Sequence, residues 1–316
     1  MLVTARRRAR RGFTLVELLI ALVLMGIVGG AVMTTLIKQE RFYRAAGDLM
    51  QTRSQIRQAT SALPGDLRGI AAASGDIQAM TASSIDFDAT IGTATVCGLG
   101  PLTGGVQEIH LFPSQARGGR FTGWASAPQV GDRVSMYDPA TGTFTAPVAL
   151  VGHASGDVLA AAAASGACAN SPFLNATDNA LARHWVRATA STLPAVPARG
   201  TVMRILRRVR YSLTQAADDQ QWYLGYEELT PAGAANGPLR VLSGPYRALA
   251  SDTTSGMTFA YFDANGNALA LSARTQVARI DVVVRGLTAG GTPGTGSRRA
   301  DGRIADADRI VVGLRN

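Results

Sequence analysis

The run Arg6-Arg7-Arg8-Ala9-Arg10-Arg11-Gly12-Phe13-Thr14-Leu15-Val16-Glu17 leads into an apolar-dominated stretch that ends at Ile37. Five arginines stop at Gly12, and between Phe13 and Ile37 the one ionisable side chain is Glu17. As a helix rising about 1.5 Å per residue, that stretch is long enough to cross a hydrocarbon core about 30 Å thick. A carboxylate inside such a helix costs on the order of 2.5–3.5 kcal/mol on insertion scales, so its default reading is functional. A secretory signal has a shorter apolar region with a small-residue cleavage site after it. Here the apolar run is too long, and Gly29-Gly30-Ala31 lies inside it. A cut at Gly12, ahead of the run, would remove the arginines and keep the helix. Until then the arginines hold the N-terminus in the cytoplasm. The expectation is a single-pass protein of the inner membrane with everything after residue 40 outside.

The segment Arg11-Gly12-Phe13-Thr14-Leu15-Val16-Glu17-Leu18-Leu19-Ile20-Ala21-Leu22 resembles the class III leader of type IV prepilins and type II secretion pseudopilins. The resemblance implies that a prepilin peptidase cuts after Gly12 and methylates Phe13. It also implies that Glu17 pairs with a neighbouring subunit's terminal amine during filament assembly. The implied partners are that peptidase, other pilin or pseudopilin subunits and the inner-membrane assembly machinery. Elementary chemistry agrees. The cut would give Phe13 an amine with a pKa of about 7.7–8, and buried amines and carboxylates are tolerated when paired. Glu17 sits one helical turn on, so the pair closes either within one chain or between two staggered chains.

Subtracting the leader changes the composition. The chain carries 31 Lys and Arg against 22 Asp and Glu, a net +9; without the five leader arginines the net is +4. Most of the basicity is therefore a targeting signal. About 250 residues beyond the helix, in a chain that is 47% hydrophobic, suffice for one large folded domain or two lobes.

The fold class expected is α+β: a long N-terminal helix packed on a C-terminal antiparallel β-sheet domain. The membrane and filament-core half runs over 13–37. An amphipathic half runs over 38–63, where Phe42, Ala45, Leu49, Ile56, Ala59 and Leu63 make one stripe and Pro64-Gly65 ends the helix. Residues 64–316 follow as the extracytoplasmic domain, with possible lobes at about 66–195 and 196–316. Its strands are predicted at Ile85–Asp88, Thr93–Cys97, Glu108–Phe112, Arg133–Tyr137, Ala146–Val151, Trp185–Ala188, Val202–Leu213, Trp222–Glu227, Met257–Asp263, Val277–Arg285 and Arg309–Leu314. Ser155–Asn179 and Ala289–Arg303 read as loose segments. The segments Arg210–Leu213, Met257–Asn267 and Val277–Arg285 resemble the C-terminal sheet of PilW-like minor pilins and J-type minor pseudopilins.

Other constellations carry weaker signals. Asp263-Ala264-Asn265-Gly266-Asn267 begins like a calcium loop, but Ala268 and Arg274 stand where glycine and glutamate are needed. A type I′ hairpin turn at Asn265-Gly266 is the better reading. Cys97 and Cys168, 71 residues apart, form either a disulfide or two free thiols. Arg204, Arg207, Arg208 and Arg210 on one strand, with Arg298, Arg299 and Arg303 in a loop, are candidates for DNA phosphates. The alternative is pairing with acids such as Asp218, Asp219, Glu227 and Glu228. His110, His153 and His184 are scattered, and no nucleophile elbow or phosphate loop occurs. The sequence calls for no catalytic residue, cofactor or metal. Taken together it points to a non-enzymatic minor pilin of a type IV pilus that initiates or caps assembly. The alternatives are a J-type minor pseudopilin and an unprocessed, membrane-anchored binding protein.

Overall fold

The computed structural model describes residues 14–116, 119–155, 157–162, 181, 183–190, 193, 200–251, 254–288 and 305–314. Helix α1 spans Leu15–Leu67. Its residues divide between two compact units, the break falling between Gln51 and Thr52.

Up to Ile37 the helix is apolar on every face apart from Glu17, and its side chains are exposed. Leu15 is 81% exposed and Met25 72%. By length and composition α1 is long enough and apolar enough to cross a membrane. Phe42, expected to begin the buried stripe, is instead exposed, as are Tyr43 and Met50, while Ala45 and Leu49 are half-buried. The buried stripe starts nearly three turns later, with Thr52, Ile56, Ala59, Leu63 and Leu67.

The helix also runs one turn past its expected end, because Pro64 lies inside it. Proline costs one backbone donor there. Arg68 N still donates to Pro64 O at 3.1 Å, and the extra turn brings Leu67 into the core with no exposed surface. Ile70, just beyond, is fully buried too. Burying each such side chain stabilises by about 1.5–3 kcal/mol, enough to offset the missing bond.

The second unit is built of antiparallel strands. The first is β1 (Ile77–Met80), then β2 (Ser84–Thr103), β3 (Val106–Leu111), β4 (Gln115–Ala116), β5 (Gly119–Arg120), β6 (Thr122–Trp124) and β7 (Arg133–Asp138). There follow β8 (Thr143–Phe144), β9 (Val148–Val151), β10 (Ala160–Ala162), β11 (Arg183–Thr189) and β12 (Val202–Gln215). The last are β13 (Trp222–Glu228), β14 (Arg240–Tyr246), β15 (Met257–Phe262), β16 (Arg279–Leu287) and β17 (Ala305–Gly313). This is the α+β architecture expected, with departures in strand placement. The short strands β1, β4, β5, β6, β8 and β10 were not expected, and β10 lies within the segment 155–179 that reads as loose. Ile85–Asp88 and Thr93–Cys97 are parts of one long strand, β2. It takes up the intervening residues through a bulge at Ile91, between the pairs Leu206↔Thr90 and Ile205↔Gly92. Strand β14 was not expected, because Ser243-Gly244-Pro245 reads as a turn. It pairs with β13 through register shifts, where a proline is tolerated.

Two cores result. The first packs the buried stripe of α1 against β1, the start of β2, the end of β12 and β13 to β17, with Phe87, Tyr211, Tyr246, Ile280, Val282 and Val284 among its residues. Ile280, Val282 and Val284 alternate along β16 and face inward. Gly286 lets the helix approach β16, since a Cβ there would meet Thr52 Cγ2 at 2.5 Å and Ile56 Cδ1 at 2.9 Å. Polar ties reinforce the contact: Tyr246 Oη donates to Gln55 O at 3.1 Å and Tyr211 Oη to Asp66 Oδ2 at 2.6 Å.

The closed arrangement of strands around the second core was not expected. Strands β2, β3, β11, β9 and β7 pair in succession, β7 pairs β12, and β12 pairs β2 again, so six strands close into a ring. Val96, Ile109, Leu111, Val134, Met136, Leu150, Val186 and Ile205 fill it. Small barrels are packed by inward side chains in this way. Strands β2 and β12 belong to both cores.

The Asn265-Gly266 turn forms, but not as type I′. Gly266 N donates to Asp263 O at 3.1 Å and Asp263 N to Asn267 O at 3.0 Å, and only Gly266 is left-handed (φ 85°). That is a three-residue loop closing on a glycine bulge. The Asp263 carboxylate is spent inside it, accepting from the Asn265 and Asn267 backbones and the Asn267 side chain.

Candidate functional site

The start of α1 is built from two residues that satisfy each other. Thr14 is the residue before the first helical position, and Leu18 N donates to its carbonyl at 3.2 Å. Glu17 N donates to Thr14 Oγ1 at 3.2 Å, and Thr14 N donates to Glu17 Oε2 at 3.4 Å. This is a capping box, in which a Thr-x-x-Glu spacing pairs two otherwise orphaned backbone donors. The carboxylate also sits in the first turn, where the helix dipole favours negative charge. The Thr-x-x-Glu spacing was legible in the sequence, where Glu17 was assigned a pairing role in assembly and no capping role.

The box has a chemical consequence. Thr14 N is a peptide nitrogen whether the chain begins at Met1 or at Phe13, so the cap survives a cut after Gly12. Among the described residues only Oε2 is engaged, which leaves Oε1 able to accept from another donor. Gly12 and Phe13 themselves lie outside the described residues.

The family model that matches the chain is the prokaryotic N-terminal methylation motif, over residues 7–33. The leader is therefore of the prepilin type. Searches of curated proteins and of solved structures each returned no match. The motif and the apolar helix that continues from it support a type IV pilin-like protein anchored in a membrane, a structural subunit rather than an enzyme. Such a leader implies a prepilin peptidase and pilin-type assembly partners.

The four arginines of β12 do not form an open basic face. Arg204 pairs with Asp76 at 2.8 and 3.2 Å, and Arg207 with Asp132 at 2.9 and 2.8 Å. Arg210 grips Asp86 at 2.7 and 2.8 Å, and Arg208 lies 3.7 Å from the same carboxylate while donating to Pro231 O. Bidentate pairs of this kind are strong and geometrically specific. The hydrogen bonds to Asp132 and Asp86 hold the Arg207 and Arg210 guanidinium groups above the usual range. Glu227 and Glu228 contribute more distant pairs, whereas Asp218 and Asp219 are not partners of these arginines. Arg298, Arg299 and Arg303 lie outside the described residues.

Asp88 completes the ladder. It is fully buried, receives Arg133 Nη1 at 2.7 Å, and its Oδ1 has no hydrogen-bond partner. Burial pushes its pKa up to about 6, Asp76 adds to the shift, and Arg133 opposes it.

Cys97 is fully buried and disulfide-bonded; Cys168 lies outside the described residues. The histidines are less scattered than they look in sequence. His110 and His153 lie tilted against the Trp185 ring, at 5.6 and 4.7 Å between centroids, and His184 meets Trp124 edge-on at 5.4 Å. Burial lowers the pKa of His110 and of His184. Among the described residues no three His, Cys, Asp or Glu side chains gather as a metal site.

Proposed function

We propose that the chain is a minor pilin. It is cut after Gly12, methylated on Phe13 and built into a type IV filament, where it initiates or caps assembly. The observation that carries this reading is the methylation motif over residues 7–33, continuous with a helix whose first turn holds Glu17. Before assembly the chain resides in the inner membrane, with its arginine leader in the cytoplasm and residues beyond the helix outside. The cut creates a protonated amine at Phe13. Glu17 of one chain accepts it from another through the oxygen its own cap leaves open, and that pair sets the register of neighbouring helices. A buried charge pair is best attested in this role. The large domain argues for a low-copy subunit, since about 250 residues crowd a densely packed shaft. Cys97 and Cys168 pair outside the cytoplasm, where disulfides persist.

Mass spectrometry of the chain coexpressed with a prepilin peptidase tests the proposal. The expected first residue is methylated Phe13; an intact leader would overturn the filament reading. Recovery of the chain in sheared surface filaments separates a pilus subunit from a subunit of a short secretion pseudopilus.

A further inference from the structure

The apolar part of α1 is bounded by charge at both ends. Between Glu17 and Lys38, residues 18–37 carry no ionisable side chain. As helix they rise about 30 Å, the thickness of a hydrocarbon core. The cap holds Glu17 in the first turn at one boundary, so Lys38 emerges at the other. Residues 38–43 then rise through the headgroup layer, which is about 5–8 Å deep on each side.

This collar has two unlike faces. At 3.6 residues per turn Lys38, Arg41 and Phe42 fall within about 100° of the helix circumference, and Glu40 and Arg44 fall on the opposite side. Glu40 and Arg44 form an ion pair with each other. Among the described residues Lys38 and Arg41 take part in no ion pair, and both are exposed. Phe42 is 69% exposed beside them, with the Tyr43 ring edge-on to it at 6.1 Å between centroids. Helical side chains lean toward the N-terminus of their helix. Arg41 and Phe42 therefore reach back toward the hydrocarbon boundary, to the level of Lys38. Two unpaired cations and a ring share one face and one depth. The orientation bias does not call for them, since it places basic residues on the cytoplasmic side, where the leader already carries five.

We infer that this face of α1 binds the headgroup of an anionic phospholipid in the outer leaflet, Lys38 and Arg41 sharing its phosphate and Phe42 lying against the glycerol and upper acyl chain. Charge selects the occupant. A zwitterionic headgroup brings its own ammonium, which two neighbouring cations repel, whereas an anionic one leaves its charge to them. Arginine forks onto phosphate oxygens and lysine approaches as a point charge, so the two suit a single phosphate. Each cation near an anionic surface strengthens attachment about fivefold. The ring supplies an apolar surface at headgroup level, where aromatic side chains collect, and a soluble acidic partner has no use for one at that depth. The lipid fixes how far α1 stands out of the membrane before assembly, and filament entry exchanges it for neighbouring helices. The inference rests on the membrane-resident stage proposed above and not on the cut at Gly12.

The test uses the full chain in phosphatidylcholine nanodiscs doped with a phosphatidylglycerol that carries a photoreactive diazirine on its headgroup. Adducts are mapped by peptide mass spectrometry, with the matching phosphatidylcholine probe for comparison. Phosphatidylglycerol should label residues 38–43 at least about tenfold above phosphatidylcholine, and Lys38→Gln with Arg41→Gln should remove that excess. Arg57→Gln with Arg68→Gln, which takes the same charge from exposed positions beyond the membrane half, should keep it. Label on the leader arginines serves as an internal reference in every variant. A second probe with the diazirine in its acyl chain should mark residues 18–37 throughout, so failed insertion is told apart from failed headgroup binding. Equal labelling by the two headgroup probes overturns the inference. So does equal loss in the two double variants, no loss in either, or crosslinking of residues 38–43 to a second copy in place of lipid.

Discussion

Two residues at the head of α1 show how little structure is needed to make a charge tolerable in a membrane helix. Thr14 and Glu17 exchange hydrogen bonds, so the carboxylate is held at the helix end rather than carried deeper. Thr14→Ala should destabilise the first turn by about 1 kcal/mol, seen as faster amide exchange at Leu15 to Leu18 in micelles. Glu17→Gln should leave leader removal intact and abolish recovery in filaments. Normal filament incorporation of that variant would sink the register role. Asp88 gives a pH prediction with a definite sign. Its folded pKa of about 6 lies above the usual 3.9, so the folded state holds the proton more tightly. Its contribution to stability is therefore greatest below pH about 4, falls as pH rises through 6 and is flat beyond, a change of about 3 kcal/mol. Asn mimics the protonated acid. Asp88→Asn should thus gain on the native chain by about that much between pH 4 and pH 7 in denaturant titrations. A difference that does not move with pH would refute the assignment. Glu17 was legible because its surroundings in sequence are its surroundings in space. The arginines of β12 were not, because Arg204 and Asp76 stand 128 residues apart.

At the scale of elements, periodicity carried most of the information. The stripe of α1 from Ile56 to Leu63 and the inward face of β16 follow their repeat patterns closely. Where local rules failed, tertiary burial had overruled them. Leu67 draws α1 past Pro64, and bulges admit Pro245 into β14. The stripe's true start sets up a contrast. Leu63→Ala should cost about 2–5 kcal/mol of stability, as expected for a fully buried leucine. Phe42→Ala, at an exposed position, should stay within about 0.5 kcal/mol. Thermal unfolding of the two variants in detergent would separate them, and similar losses would place the stripe's start wrongly. Phe42 is instead available to neighbours in an assembly.

The whole molecule was the least legible level. An antiparallel sheet on a helix could be anticipated, but ring closure could not. Closure depends on β7, β9 and β11 finding partners far away in sequence, through pairs as short as Arg187↔Val151 and Ala188↔Leu150. Cys97 is buried beside Phe112 and Phe121 in a small cluster of its own. Reducing the disulfide should lower stability by about 2–4 kcal/mol. A mass consistent with two free thiols in the purified native chain would remove its basis.

Strands β2 and β12 each run from the helix-packed core into the closed ring, joined by eleven residue pairs along the way. No linker therefore separates the two cores, and no hinge can form where one gives way to the other. Opening that boundary would mean dragging Ala94 or Met203 out of a filled barrel, or Phe87 or Val209 out from under the helix. A push or pull delivered to one core arrives at the other through two covalent backbones. The domain should move as a single stiff lever.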